Sequence, residues 1–169
     1  MVEHTFGLPE MEAEWNAWYS DNLEVLLSIP GFETAQRFQA RAGAGRRYMA
    51  MYTIASARVF QGSAYKSVGG GGGASVRFHP AYQEWRRNLL DGLARAPEVG
   101  RGQVLAMADR KRPGGKPYNW LRTTGLHRTT PFRGLAVVAE EAAVELAEEP
   151  GGPVTIFAPI TAQLVKPPV

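Results

Sequence analysis

The sequence predicts an α+β fold, an antiparallel sheet carrying helices on one face. Three observations point there. Two stretches, residues 9–29 and 80–94, place apolar side chains at helical spacing. Between them, residues 32–40 and 46–55 flank the turn Arg41-Ala-Gly-Ala-Gly45 and read as a hairpin. Later strand-like runs bring the order to (β)αββ, loop, αβ, loop, αβ, which fits the split βαβ arrangement.

The first helix is the clearest element. Pro9 suits a helix start, and the acids of the first turns suit the positive end of its dipole. Met11, Trp15, Trp18, Asn22, Val25, Leu26 and Ile29 form one stripe, and Pro30-Gly31 ends the helix. Upstream, Val2 to Phe6 supplies at most a short strand. On the second hairpin strand Tyr48, Ala50, Tyr52 and Ile54 share one face, with Met49, Met51 and Thr53 on the other. Residues 57–66 hold a short helix. Gly69 to Gly73 are five consecutive glycines and read as a mobile loop. The second helix, residues 80–94, takes its stripe from Phe78, Tyr82, Trp85, Leu89 and Leu93. Residues 103–108 read as a strand, 110–116 as a basic Pro/Gly loop and 117–133 as irregular. Residues 135–149 read as a strand leading into a helix or as one helix, broken at Pro150-Gly-Gly-Pro153. Residues 154–163 form a last strand before a frayed Lys166-Pro-Pro tail.

At 169 residues the chain fits one domain spanning 1–169. With no cysteine there is no disulfide, thiolate metal site or cysteine nucleophile. His4, His79 and His127 lie far apart, with no ligand at metal spacing, so neither a metal nor any other cofactor is expected. The glycine run lacks the Lys-Ser/Thr ending of a phosphate loop. No run approaches the roughly 18 apolar residues of a membrane span, and the acidic start is no signal peptide, so a cytoplasmic protein is expected. Charge is uneven. Residues 1–36 carry seven acids and no Lys or Arg, whereas residues 101–133 carry eight bases against Asp109 alone. That basic stretch suits an anionic ligand, nucleic acid or an acidic partner face.

The stretches Glu14-Trp-Asn-Ala-Trp-Tyr19, Leu26-Leu-Ser-Ile-Pro-Gly-Phe32, Ala35-Gln-Arg-Phe38 and Tyr48-Met-Ala-Met-Tyr52 resemble the EthD-like branch of the dimeric α/β-barrel proteins. The resemblance covers roughly residues 12–66. It implies a ferredoxin-like antiparallel sheet with helices on one face. Two copies would close into a barrel as a homodimer, with a C-terminal extension beyond the unit. It also implies cofactor-free chemistry on aromatic or polyketide compounds. Where that pattern carries a histidine in the first helix, this chain reads Ser20-Asp-Asn-Leu-Glu24, with Asn22 nearest.

Several residues are candidates for the chemistry. Asn22 falls on the apolar stripe of the first helix, where a buried amide needs partners; it is either a structural hydrogen bonder or a ligand-orienting amide. His127 lies in the donor-rich segment from Arg122 to Thr130, and His79 at the start of the second predicted helix. Histidine is the side chain whose ordinary titration falls near neutrality, so both are candidate acids or bases. Arg37, opposite in phase to Phe38, would hold a carboxylate inside a barrel. Tyr52, Trp18 and Arg122 complete the substrate-binding set for a flat compound. Three functional readings follow. The first is a cofactor-independent enzyme on a small aromatic or polyketide-like metabolite, working by decarboxylation, isomerisation, cyclisation or elimination. The second is a non-catalytic ligand-binding accessory protein, and the third is nucleic-acid binding through residues 101–133. The third lacks any recognisable motif.

Overall fold

A computed structural model describes residues 1–42, 48–110, 118–148 and 154–167. The chain is an α+β fold built on a closed, antiparallel, eight-stranded barrel. Strand β1 (Val2–Phe6) leads into helix α1 (Pro9–Ser28), then β2 (Phe32–Ala42) and β3 (Tyr48–Ile54). A 3-10 turn (Ala57–Gln61), the short helix α2 (Ser63–Ser67) and a 3-10 segment (Gly70–Ala81) lead to β4 (Tyr82–Asp91). Then come β5 (Gln103–Ala108), β6 (Asn119–Leu126), β7 (Phe132–Ala139), helix α3 (Ala143–Glu148) and β8 (Val154–Pro159). A two-residue strand, β9 (Leu164–Val165), pairs with Thr34 and Ala35 of β2.

The strand order is β3-β1-β4-β6-β7-β5-β8-β2, and β2 pairs β3 to close the ring. The two halves of the chain repeat one order. The first half runs β2-β3-β1-β4 and the second β6-β7-β5-β8. They meet at two seams, β4 with β6 and β8 with β2. Residues beyond 109, expected to form an extension, therefore supply three strands of the barrel, β6, β7 and β8. The inner sheet face that two copies would close over is buried here within one chain. Light scattering at micromolar concentration is expected to give a mass near the monomer's 18.5 kDa; twice that mass would show that another surface mediates association.

Alternation along each strand sorts the side chains. Phe38, Met49, Met51, Leu105, Leu121, Leu135 and Phe157 fill the barrel. Ala35, Tyr48, Ala50, Tyr52 and Ile54 face outward against α1. A second outer layer, Val104, Ala106, Ala136 and Ile156, lies under Leu146 of α3. Inside the barrel Gln36 donates to the carbonyls of Val99 and Thr161 at 2.8 and 3.1 Å and accepts from the Val99 N–H. The hydroxyl of Thr34 donates to that of Thr53 at 2.6 Å. Arg133 is also interior and salt-bridged to Glu3 at 3.0 Å, so one member of the basic stretch is a core residue.

Several sequence expectations are corrected. Residues 80–94 do not form a helix: they close a 3-10 segment and become β4. Opposite His4 the ladder steps from Glu3↔Arg86 to Thr5↔Gln83, so Glu84 and Trp85 face one residue, and Glu84 takes φ 52°. That bulge spaces the outward residues Tyr82, Trp85, Arg87 and Leu89 irregularly, which imitates a helical period. Residues 119–126, expected to be irregular, are β6. The glycine run opens a 3-10 segment, with positive φ at Gly69, Gly71 and Gly72. In α1 the fully buried line is Trp15, Tyr19, Leu23 and Leu27, while Val25 is exposed. The expected stripe is thus rotated by about one position. Much of the turn at 41–45, the basic loop at 110–116, the break at 150–153 and the end of the tail lie outside the described residues.

Candidate functional site

A cavity of about 500 Å³ lies among α1, strands β1, β3 and β4 and the segment from residue 55 to 75, and its lining continues onto Met51, Leu121 and Leu135 of the barrel interior. That volume suits a small organic ligand. From α1 it receives Trp18, Asn22 and Leu26; from β3, Tyr52 and Ile54. From β4 it receives Tyr82, Trp85 and Arg87. Phe60, Tyr65 and Val68 form the facing wall. The glycines let that wall approach the sheet. A Cβ on Gly72, already at φ 112°, would sit 3.2 Å from the Trp85 ring, and one on Gly69 would sit 2.5 Å from the Ala74 nitrogen.

His4 lies at the back of this cavity. It is 2% exposed, and neither ring nitrogen has a hydrogen-bond partner. Its ring meets Trp15 edge-on at 5.1 Å and lies 4.8 Å from Tyr82. β1 puts it there because His4 and Phe6 share the outward face while Glu3 points into the barrel. Burial first, and the nearby Arg37 guanidinium second, push its pKa down to about 3. The imidazole is therefore neutral at physiological pH, offering one N–H and one bare nitrogen.

The phenols around it are shifted the other way. Tyr52 donates to the Tyr19 oxygen at 3.4 Å. Burial pushes Tyr19 up to about 12, and burial with the neighbouring Tyr19 raises Tyr52 well above its ordinary value. Burial also raises Tyr82, whose oxygen accepts the Trp15 indole N–H at 3.0 Å. Both ring types thus stay uncharged, as desolvation requires.

Of the residues expected to bind substrate, Trp18, Asn22 and Tyr52 do line the cavity. Arg37 does not. It lies beneath α1, donating to the Asn16 carbonyl at 3.0 Å and to the Asn16 side chain at 2.7 Å, with its guanidinium 4.3 Å from the Tyr19 ring. It is not inside the barrel, and no carboxylate among the described residues pairs with it. Arg122 is exposed on β6 and off the cavity wall. His79 is exposed, its Nε2 2.9 Å from the Gly72 carbonyl, tying down the glycine segment. His127 is exposed too, and its Nδ1 accepts the Arg87 N–H at 3.3 Å. Neither expected acid/base histidine lines the cavity. The segment expected to close over the site contributes only Thr124 and Leu126; residues 55–75 do the covering.

The sequence places His4 on or beside the short first strand, outside the set of candidate site residues. The signal available was its phase with Phe6, on the face that meets the aromatic helix. Among the described residues no cluster of His, Asp and Glu is placed to hold a metal ion. None of their helices is long and apolar enough to cross a membrane.

No family model, curated protein or solved structure matches this chain.

Proposed function

We propose that the chain binds a small aromatic or polyketide-like metabolite in this cavity and converts it without a cofactor, by acid/base chemistry at a carbon next to a carbonyl. Isomerisation, cyclisation, decarboxylation and elimination all pass through such a step. The observation that carries the reading is His4, an imidazole with both nitrogens unpartnered on the wall of a ligand-sized cavity. A buried polar group without a partner costs about 1–3 kcal/mol, and a ligand oxygen or acidic C–H placed there recovers it. The phenol of Tyr19, held protonated and accepting from Tyr52, can donate to an oxygen as negative charge develops on it. The bare nitrogen of His4 is the proton acceptor on offer, and an enolate forming beside it raises its basicity in step.

The fold is consistent with this reading. The order shared by both halves is compatible with a ferredoxin-like unit occurring twice. The chain can be read as two such units fused into the single-chain counterpart of a dimeric α/β barrel. The resemblance to the EthD-like branch falls on residues 12–66, which build two sides of the cavity.

A second reading, a non-catalytic ligand binder, is favoured by one observation. The shifts resolved for cavity side chains, down for His4 and up for Tyr19, Tyr52 and Tyr82, all move away from neutrality. The two readings separate by nuclear magnetic resonance of ortho-hydroxyacetophenone in deuterated buffer. An enzyme should broaden the ligand resonances and speed deuterium exchange at the methyl group. His4→Gln should still bind but lose exchange by at least about tenfold. Binding with exchange at the buffer rate favours the accessory reading, and absence of binding removes both.

A further inference from the structure

The charge around the cavity is lopsided. Arg87 lines it from β4, with its guanidinium carbon 4.7 Å from the centre of the Trp85 ring. Its Nε is shut off from water and has no hydrogen-bond partner. No carboxylate among the described residues forms an ion pair with Arg87. The cavity's acid, Asp91, sits four residues farther along the strand, on the order of 13 Å away. The backbone that carries the guanidinium is held in place. The Arg87 N–H donates to the His127 ring, and the His127 N–H donates to the Arg87 carbonyl at 2.9 Å. The glycine segment passes close by, so that a Cβ on Gly71 would lie 4.0 Å from the Arg87 Nη1. No side chain from the facing wall intervenes at that glycine.

A guanidinium stacked on indole, deprived of a carboxylate and facing an aromatic cavity is half of a recognition pair. Of the other wall groups, His4, Tyr19, Tyr52 and Tyr82 are neutral, and the acid, Asp91, lies well along the strand from Arg87. Resting on the cavity being the ligand site, we infer that Arg87 is its anion-binding residue and that the ligand is an aromatic carboxylate. The carboxylate sits on the Arg87 fork, and the ring lies between Trp85 and Trp18. A guanidinium favours this group because its parallel N–H donors match the two carboxylate oxygens. His127 is then a positioning residue, acting through the backbone of Arg87.

Tryptophan fluorescence titrations with naphthalene-carboxylate and with naphthol, matched in ring and differing in charge at neutral pH, test this. The wild-type chain should bind the carboxylate at least about tenfold more tightly. Arg87→Gln should erase that preference while changing naphthol affinity by less than about twofold, and Arg87→Lys should keep part of it. Arg122→Gln, at an exposed residue off the cavity, should leave both affinities unchanged. Circular dichroism confirms that each variant is folded. Equal affinities in the wild type, or a preference that survives Arg87→Gln, would overturn the assignment while leaving the cavity reading intact. If neither compound binds, the cavity reading fails and the assignment falls with it.

Discussion

Replacing His4 with Phe is expected to raise the melting temperature at neutral pH and to flatten the acid side of the stability profile. The imidazole is 2% exposed with two unpartnered nitrogens, and Phe fills nearly the same space without polar atoms. Removing an unsatisfied buried group is worth about 1 kcal/mol or more, or roughly 2–4 °C for a chain of this size. The pH effect is larger. The folded pKa is lowered to about 3, against an ordinary value of 6.5. Between those values the unfolded chain takes up a proton that the folded chain refuses. The stability that rests on a neutral His4 is therefore complete above pH 6.5 and is lost as pH falls toward 3, by on the order of 1 kcal/mol per pH unit. Thermal melts of both proteins at about pH 7 and pH 4.5 measure it. The wild type should lose more stability over that interval than His4→Phe. A less stable His4→Phe at neutral pH, with an unchanged pH slope, would mean that the imidazole has a partner after all.

The second large effect lies inside the barrel. Arg133 donates to the Glu3 carboxylate from Nη1 at 3.2 Å, and its Nη2 lies 3.0 Å from the other carboxylate oxygen. It also reaches Met107 Sδ at 3.0 Å, while its Nε lies 3.0 Å from Asp109 at the barrel's end. Glu3 and Arg133 are 4% and 3% exposed, so either charge left alone would be stranded in the core. Arg133→Met should cost about 3–5 kcal/mol, because the Glu3 carboxylate then loses its counter-charge. In melting temperature this is roughly 10 °C or more. Glu3→Leu combined with Arg133→Met should recover most of the loss, since two apolar side chains leave no orphaned charge. Asp109→Asn, at a half-exposed side chain, should change stability by less than about 1 kcal/mol. Denaturant melts of the four proteins decide it; a double variant no better than Arg133→Met alone would refute the stranded-charge account.

How much of this was legible in the sequence depended on which period each element obeyed. The alternation of Tyr48, Ala50 and Tyr52 against Met49 and Met51 was read directly, and it sorts outer face from barrel interior as found. The strand at 103–108 is legible too, because the apolar run between Gln103 and Asp109 has a strand's length. Helix α1 announced itself through Pro9 and Pro30. Its phase was misjudged because Trp18 and Tyr19 are both aromatic, so both stripes look apolar while Tyr19 and Leu23 win the burial. Strand β4 was lost to the Glu84 bulge. Tyr82 and Trp85 on one face of a bulged strand are three residues apart, as on a helix. The site was legible in part. Trp18, Asn22 and Tyr52 carried a signal in their spacing. His4 and Arg87 come together only through the β1–β4 pairing, a contact between residues more than 80 positions apart that no local pattern encodes.

Closure of the ring also dictates an order of events as the chain is made. β8 is the staple, pairing on one side with β5 and on the other with β2. Until residues 154–159 are available, β2 and β5 each present an unpaired edge, and the apolar lining between them faces water. Contacts between such distant segments form slowly, since loop closure must come before any reward from pairing. The nascent chain therefore passes through a stage in which a long edge, Phe32–Ala42, is open to any other extended segment. Acquiring β8 removes two edges at once. The loss of this one short strand near the end would convert a sealed barrel into a sheet with two adhesive margins.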